Sequence, residues 1–285
     1  MRHSFVVPTV LAGAVFLSAC AQKNAEDTVE RAFQDVNVVD ETNLTDVMLT
    51  VADPNEAVAY FTRSVGEDPD RLEFQRGLAV SLVRAKRYTE AAAAYTKVIK
   101  MEGATQSDTV DYADALIRSG DWAKAEKILD TVPPTFETFK RYRLEAMVAD
   151  SNKEWTKSDS FYETAVGLTT RPAGIMNNWG YSKLTRGDYK AAERLFGDAI
   201  RQDPSLFTAK NNLVLARAAQ RNYALPVVPM DQTERAQLLH TMALSAVKQG
   251  DVETGKTLLR DAIETHPQHF EAAVRALNAL DNSNG

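Results

Sequence analysis

The sequence predicts an all-α fold, an α-solenoid of about seven helix–turn–helix units that ends in a C-terminal capping helix. The main observation is a set of residues that recurs along most of the chain with a nearly constant step of 33 or 34 residues. In addition, no segment alternates between hydrophobic and polar residues for long enough to indicate a β-strand. The composition, 44% hydrophobic and 25% charged over 285 residues, is that of a folded protein rather than a disordered one.

Three series of residues carry this repeat. Small residues form the first series: Ala57, Ala91, Ala125, Ser158 and Ala192. Large hydrophobic residues form the second series: Phe61, Tyr95, Leu129, Tyr162 and Phe196. The third series, which is mostly aromatic, consists of Pro54, Tyr88, Trp122, Trp155, Tyr189 and Tyr223. Small side chains let two helices approach closely and large ones fill the gap to the next unit, so we expect helical hairpins packed side by side.

The clearest unit spans residues 177–204 and reads NNWGYSKLTRGDYKAAERLFGDAIRQDP. It resembles the tetratricopeptide repeat (TPR), a helix–turn–helix unit of about 34 residues. Gly187 suits the left-handed residue that ends a helix, and Asp188 can cap the helix that follows. Pro204 then ends the second helix, because proline cannot continue it. The resemblance implies that the whole array is built from such units.

The repeat register predicts the organisation of the chain. Units are predicted at residues 38–71, 72–105, 106–138, 139–172 and 173–206, and the first of these is degenerate. The sixth unit, 207–224, is partial, because Pro226 and Pro229 would break its second helix. Residues 225–235 are therefore predicted to be a linker loop, and residues 236–281 a last repeat with the capping helix.

The N-terminus has the layout of an export signal. An apolar run from Phe5 to Leu17 would form a helix of about 20 Å, too short to span a bilayer core of about 30 Å. The run ends in a sequence that resembles the bacterial lipobox, in which a lipid is attached to the cysteine and cleavage occurs just before it: Leu17, Ser18, Ala19 and Cys20. We therefore expect a lipoprotein signal peptide at 1–19, lipidation of Cys20, and an acidic tether at 20–37. A plain cleaved signal and an uncleaved anchor are the alternatives.

The residue after the cysteine bears on localisation. In the lipoproteins that this N-terminus resembles, an aspartate at that position often retains the protein in the inner membrane, and here the position holds Ala21. We therefore expect a protein anchored by the lipid on Cys20 to the outer membrane, on its periplasmic face.

Charge and motif content argue against several functions. The net charge of −6 provides no basic footprint for nucleic acid. The chain lacks the nucleophile-elbow, zinc-protease, phosphate-loop and dinucleotide motifs, and one cysteine cannot supply a multi-cysteine metal site. His266 and His269 have no third ligand near them in the sequence. The sequence thus predicts a non-enzymatic protein with no catalytic residues, no metal and no cofactor.

Candidate binding residues come from the TPR resemblance. In TPR proteins that bind peptides, the fifth and ninth positions of each first helix face a concave groove. The candidates at these positions are Arg76, Arg143, Asn177, Tyr181 and Asn211. Asparagine amides can both donate to and accept from a peptide backbone, and arginine can pair with a carboxylate. The groove thus suits an extended or acidic segment, or a helix with hydrophobic contacts, unless the asparagines are simply solvated.

The whole chain resembles one TPR family, the lipoprotein of the tight-adherence (Flp-type) pilus assembly system. The resemblance includes the lipobox, the length, the degenerate repeats and especially residues 226–280, with an ERAQLL opening, a QGD turn and an HPQHFEAA end. It implies an outer-membrane lipoprotein that scaffolds pilus assembly by helping the secretin to localise or multimerise. The alternative is a periplasmic TPR lipoprotein that serves outer-membrane barrel assembly or recruits peptidoglycan hydrolases.

Overall fold

The computed structural model describes residues 44–282, and within them the chain forms helices joined by turns and loops, with no strand. The chain divides into two compact units, Met1–Gly103 and Ala104–Gly285. The signal peptide predicted at 1–19, Cys20 and the tether predicted at 20–37 lie outside the described residues. No helix in the described part is long and apolar enough to cross a membrane.

The first unit contains three complete helices after a helical stretch at 44–50: α1 (Pro54–Glu67), α2 (Leu72–Arg84) and α3 (Tyr88–Val98). Helix α2 packs against both α1 and α3. Asp53 caps α1, because its carboxylate accepts hydrogen bonds from the backbone nitrogens of Asn55 and Glu56. Pro54 then occupies the first helical position, where a missing backbone N–H does no harm.

The second unit contains ten helices within its described residues. They are α4 (Gln106–Ser119), α5 (Trp122–Leu129), α6 (Phe139–Ser151), α7 (Trp155–Gly167), α8 (Ala173–Thr185), α9 (Tyr189–Gln202), α10 (Phe207–Ala219), α11 (Gln232–Lys248), α12 (Val252–Thr265) and α13 (Glu271–Asn282). Successive helices pack against each other, and α6 and α10 also contact α4 and α8, the first helices of the preceding hairpins. The predicted fold class, an all-α array of stacked helix–turn–helix repeats with a C-terminal helix, is confirmed.

The three series of repeated residues occupy the positions that their chemistry predicts. Every member of the small series is 0% exposed, and no member of the large hydrophobic series is more than 3% exposed. The first five residues of the third series are the first residues of α1, α3, α5, α7 and α9. The sixth, Tyr223, falls in a loop instead. The period of the sequence is therefore the period of the packing, and it is broken where the sixth unit lacks its second helix.

A left-handed residue marks the same turn in successive hairpins. The glycines at this turn, Gly120, Gly187 and Gly250, have φ between 83° and 86°. The other members of the set have φ between 58° and 60°: Lys86, Lys153 and Arg221. A residue with a Cβ atom pays about 1–2 kcal/mol for this conformation. The fourth unit, whose turn has no glycine in the sequence, nevertheless keeps the repeat's turn geometry.

The structure corrects one predicted boundary, the end of the linker at 225–235. Helix α11 begins at Gln232, so the last repeat starts there rather than at 236. Asp231 and Glu234 set this start as a capping box: the Asp231 carboxylate accepts from the Glu234 backbone nitrogen at 2.8 Å, and the Glu234 carboxylate accepts from that of Asp231 at 3.2 Å. The D-x-x-E spacing in the sequence was the signal for this cap.

The non-helical residues 220–231 form a packed loop that covers the core. Tyr223, Leu225 and Met230 pack against the hydrophobic cluster of α10, α11 and α12. Val228 packs against the neighbouring cluster, which is built from α9 and α10. The loop therefore buries hydrophobic surface that the missing second helix would otherwise cover.

Candidate functional site

An open groove of about 520 Å³ lies in the second unit and is formed mainly by α6, α8 and α10, the first helices of three successive repeats. Its lining consists of Trp122, Met147, Asp150, Ser151, Tyr162, Asn177, Asn178, Tyr181, Ser182, Thr185, Thr208 and Asn212. Two of the predicted binding residues, Asn177 and Tyr181, are thus brought together in one groove. The volume is within the range of ordinary ligand pockets, roughly 300–1,000 Å³.

The asparagines form hydrogen bonds between helices. The side-chain amide of Asn212 donates to Oδ1 of Asn177 at 3.0 Å, and both residues are buried. Asn211 does not line the groove: its Oδ1 accepts a 2.8 Å hydrogen bond from the hydroxyl of Thr241 on α11. These hydrogen bonds link one first helix to the next. The amides therefore have fewer donors and acceptors left for the backbone of an extended peptide. Their role in binding a partner stays a prediction.

The two predicted arginines lie outside this groove. Arg143, on α6, is half-buried, and its Nη2 lies 4.0 Å from Oδ1 of Asp114 on the preceding first helix. Arg76 lies on α2 in the first unit and is also half-buried. Neither residue adds positive charge to the groove lining. The only charged residue among the described residues that line the groove is Asp150.

Asp150 lies at the floor of the groove and is held by three hydroxyl groups. Its Oδ1 accepts from Ser158 at 2.5 Å and from Ser182 at 2.7 Å, and its Oδ2 accepts from Tyr162 at 3.2 Å. Burial, reinforced by the nearby Asp150 carboxylate, raises the pKa of the Tyr162 hydroxyl, so this group stays protonated and donating. The network fixes a negative charge in the groove and joins α6, α7 and α8.

Hydrophobic residues occupy the ninth positions of the last four first helices, α6, α8, α10 and α11. Met147, Tyr181, Leu215 and Leu244 each lie six residues before the left-handed turn residue of their repeat. Tyr181 is 52% exposed and Leu244 is 47% exposed, whereas Met147 and Leu215 are half-buried. We call these four residues the ninth-position row. Because they occupy equivalent positions, they lie on the equivalent face of four first helices, and large exposed hydrophobic residues there favour contact with another protein.

Two of the five residues that the register predicted line the groove, and the register missed other parts of its lining. Asp150 lies three residues after Met147, and Thr185 lies four residues after Tyr181. Residues three or four apart share one face of a helix, so these side chains extend the same surface by one turn. Extending the register beyond the ninth position would have identified both.

A second set of polar contacts joins α7 to α8. The carboxylate of Asp159 accepts from the indole nitrogen of Trp179 at 2.7 Å and from Lys183 at 2.9 Å, and it also pairs with Arg186. Burial raises the pKa of Asp159, but the hydrogen bonds from Arg186, Lys183 and Trp179 outweigh it, and the pKa lies below its ordinary value. This cluster sets the position of α8, which carries Asn177 and Tyr181.

The described residues offer no metal centre, since no group of three or more histidine, cysteine, aspartate or glutamate side chains in that part of the chain could hold an ion. The groove therefore presents amides, hydroxyls, aromatic and aliphatic surface and one carboxylate. This chemistry suits the binding of a polypeptide segment.

Comparisons with solved structures show the fold. The chain is similar to the APC/C hetero-tetramer Cut9–Hcn1, with a TM-score of 0.59 at 13% identity over 83% of this chain, and it spans about half of that chain, 48%. A tetratricopeptide repeat protein from Parabacteroides merdae aligns with a TM-score of 0.54 at 14% identity, over 90% of this chain and 98% of that one. The human IFIT1 dimer with m7Gppp-AAAA gives 0.57 at 14% identity, over 84% and 62%. At these identities the likeness concerns the fold alone.

Sequence comparisons identify the repeat. No curated protein sequence matches the chain. Three family models do, each described as a tetratricopeptide repeat, and they match residues 82–148, residues 49–107 and 177–225, and residues 237–269. Together these ranges cover more than half of the chain and fall on the hairpins described above. The chain therefore belongs to the tetratricopeptide repeat proteins, whose fold generally serves protein–protein interaction rather than catalysis.

Proposed function

We propose that this protein is a lipid-anchored, non-enzymatic scaffold that binds other proteins through the groove on α6, α8 and α10 during assembly of a tight-adherence pilus. The observation that carries the binding role is the groove itself: it is open, and it lies beside a ninth-position row whose Tyr181 and Leu244 are about half exposed. Its job in the assembly would be to help the secretin localise or multimerise.

The anchoring is inferred from the N-terminal sequence. Residues 17–20, LSAC, match the lipobox at all four positions, and the only cysteine of the chain is Cys20. Each buried CH₂ of an acyl chain contributes about 0.8 kcal/mol, so several chains on one residue anchor a protein firmly. With Ala21 after the cysteine, we place the protein at the periplasmic face of the outer membrane.

The pilus assignment is supported by the C-terminal sequence. Residues 226–280 resemble the C-terminal module of the tight-adherence lipoproteins, and in the structure most of this segment is α11, α12 and α13. The ERAQLL opening lies on α11 and begins at Glu234, three residues after the Asp231 cap, and the QGD sequence is the turn between α11 and α12. The resemblance thus falls on one structural module.

The groove also indicates the chemistry of the partner. The amides of Asn177 and Asn211 are bonded within the chain, and no cation lines the groove within the described residues, so an extended acidic peptide fits it poorly. A partner helix fits better. Helices that pack together lie about 8–10 Å apart. Two hydrophobic residues seven positions apart on a partner helix lie about 10.5 Å apart along its axis, so they would contact two neighbouring first helices. We therefore propose an amphipathic helix of the partner, neutral or basic at the end near Asp150.

The test is affinity purification of the full-length, lipidated protein from gently solubilised membranes, followed by mass spectrometry of the co-purifying proteins. Secretin or pilus-assembly components should co-purify with the wild type, and their yield should fall at least about fivefold with Tyr181→Ala combined with Leu244→Ala. Leu168→Ala is the matched control, because Leu168 is similarly exposed, at 41%, but lies outside both the groove and the ninth-position row.

Each other outcome has a definite meaning. Recovery of barrel-assembly subunits or peptidoglycan hydrolases instead of pilus components would reject the pilus assignment and support the alternative adaptor. Full recovery of the same partner by the groove variant would move the binding surface elsewhere, for example to the loop at 220–231.

Anchoring needs a separate test, with Cys20→Ser as the variant. We expect this variant to leave the outer-membrane fraction and to migrate differently from the processed lipoprotein. If it still fractionates with the outer membrane and migrates unchanged, the lipid anchor is rejected.

A further inference from the structure

A second pocket, of about 380 Å³, lies in the second unit on α5, α6 and α7, separate from the groove. Its lining consists of Glu126, Leu129, Asp130, Val132, Pro134, Arg141, Tyr142, Glu145, Val148, Lys157 and Phe161. None of these residues lines the groove described above. We call this the α5–α7 pocket.

The pocket exists because α5 is short. Helix α5 has 8 residues, whereas the equivalent second helices α7 and α9 have 13 and 14. Pro133 and Pro134 follow the end of α5 and prevent another helical turn. The pocket lies at this shortened end of α5, where Leu129, Asp130, Val132 and Pro134 line it.

Arg141 lines the pocket and is held by hydrogen bonds from two of its guanidinium nitrogens. It is 8% exposed, and its Nη1 donates to the backbone carbonyls of Pro133 and Phe136 at 2.8 and 3.2 Å. Its Nε donates to Glu145 at 2.7 Å. This pair is nearly buried and neutral overall, and it fixes the loop after α5 in place.

Besides this pair, two carboxylates and one lysine line the pocket. Glu126 accepts a hydrogen bond from the neutral amide of Asn152 at 3.0 Å, and within residues 44–282 neither Glu126 nor Asp130 has an ion-pair partner within 4.0 Å. Lys157 pairs with Glu154 at 3.0 Å. The hydrogen bond with Glu154 raises the pKa of Lys157 most, and the fields of Glu126 and Asp130 raise it further. A cation at this pocket is thus favoured by two carboxylates whose charge is not neutralised by direct pairing.

The apolar part of the lining suits the stem of a long cationic side chain. The rings of Tyr142 and Phe161 lie 5.9 Å apart at 40°, and Leu129, Val132 and Val148 add aliphatic surface. Aromatic rings attract cations through their faces, and the methylene groups of lysine or arginine pack on aliphatic surface while the charged head stays near water and carboxylates. A pocket lined by both hydrophobic and acidic residues therefore complements an arginine or lysine side chain.

We infer that the α5–α7 pocket is a second docking site, which takes an arginine or lysine side chain of a partner protein. The stem of that side chain packs against Tyr142, Phe161 and the aliphatic residues, and its charged head pairs with Glu126 and Asp130. The site uses neither the groove nor the lipid anchor. Rejection of this inference would therefore leave the proposed function intact, and the reverse also holds.

The test is a titration of the full chain, methyl-labelled at leucine and valine, with the peptide acetyl-Gly-Gly-Arg-Gly-Gly-amide, followed by NMR. The methyl signals of Leu129, Val132 and Val148 should shift with a millimolar Kd, and the shifts should weaken with added salt. The same peptide with citrulline, a neutral isostere, in place of arginine should bind about tenfold more weakly.

A charge-removing variant provides the second comparison. Glu126→Gln with Asp130→Asn keeps the shape of both side chains and the bond from Asn152, and it should weaken binding of the arginine peptide about tenfold. Glu163→Gln with Asp261→Asn removes two exposed carboxylates elsewhere and is the matched control, which should bind like the wild type. Absence of shifts up to about 10 mM peptide, equal binding of the citrulline peptide, or an unaffected pocket variant would each overturn the inference.

Discussion

The fifth and sixth repeats differ by one helix, and the comparison shows what a repeat must keep. The fifth is a complete hairpin of α8 and α9, in which Phe196 is 0% exposed. The sixth has its first helix, α10, followed by a loop at 220–231. In the loop, Tyr223, Leu225, Val228 and Met230 pack against the two neighbouring clusters in the place of helical side chains. The first helix and its left-handed turn residue are retained in both repeats, so α10 of the interrupted repeat still lines the groove together with α8.

The junction after the loop has an ion pair between two consecutive first helices, as does the junction of α4 with α6, and here the lysine is more deeply buried. Lys210 on α10 is 3% exposed, and its Nζ lies 2.7 Å from Oε2 of Glu234 in the first turn of α11. Glu234 is also the acidic member of the cap that starts α11. A buried ion pair therefore holds two consecutive first helices together where no second helix separates them.

The largest difference between the two repeats should appear on removal of core side chains. Phe196→Ala removes a fully buried ring and should lower the free energy of unfolding by about 3–5 kcal/mol. Met230→Ala in the loop removes a half-buried side chain and should cost about 1–2 kcal/mol. Urea unfolding followed by circular dichroism measures both. Equal losses in the free energy of unfolding would mean that the loop is packed as tightly as the second helix of the fifth repeat.

Breaking the ion pair at the junction should have the next largest effect. Lys210→Met leaves the Glu234 carboxylate, whose side chain is 21% exposed, without its cation, and should destabilise the second unit by about 2–3 kcal/mol. Adding Glu234→Gln should recover part of the loss, because it removes the unpaired charge. Lys248→Met, at an exposed position of α11, is the control and should change stability by less than about 0.5 kcal/mol. If Lys210→Met behaves like this control, the pair does not hold the junction.

The sequence predicted the regular repeats well, because their packing is periodic. Ala192 and Phe196 were placed by the period and are buried as expected. The prolines predicted a linker at 225–235, whereas the loop in the structure is 220–231. Its packing was not predicted, since the contacts of Tyr223 and Met230 depend on the neighbouring helices. The register indicated Asn177 and Tyr181, which line the groove. It did not indicate the bond between Asn177 and Asn212, because that bond depends on the spacing of two helices in three dimensions. The α5–α7 pocket was missed for the same reason, although two consecutive prolines marked its origin.

The junction that precedes the fifth repeat should respond to acid. Burial raises the pKa of Asp159, yet hydrogen bonds from Arg186, Lys183 and Trp179 bring it below the ordinary value. A carboxyl group whose pKa is lower in the folded state stabilises the fold above its unfolded-state pKa, near 4, and this contribution is lost as the pH falls through the folded-state pKa. Asp159→Asn should therefore flatten the loss of stability below about pH 4. Thermal unfolding from pH 6 to pH 2 checks this, with the exposed Asp261→Asn as control. The same acid dependence in both variants would assign the effect to other carboxyls.

The turn residues give the smallest effect and the finest comparison between repeats. A Cβ atom at Gly187, where φ is 83°, would meet no atom within 4 Å, so Gly187→Ala tests backbone strain alone and should destabilise by about 0.5–1 kcal/mol. Lys153→Gly relieves the same strain in the fourth repeat and should stabilise by a similar or smaller amount, because glycine also gives the unfolded chain more freedom. Arg221→Gly in the sixth repeat should gain less than Lys153→Gly, because the Arg221 guanidinium donates to the backbone carbonyl of Gln249 at 3.3 Å and the variant loses that bond. Melting temperatures of the three variants rank these effects. A larger rise in melting temperature for Arg221→Gly than for Lys153→Gly would show that backbone strain outweighs the hydrogen bond to Gln249 at this turn.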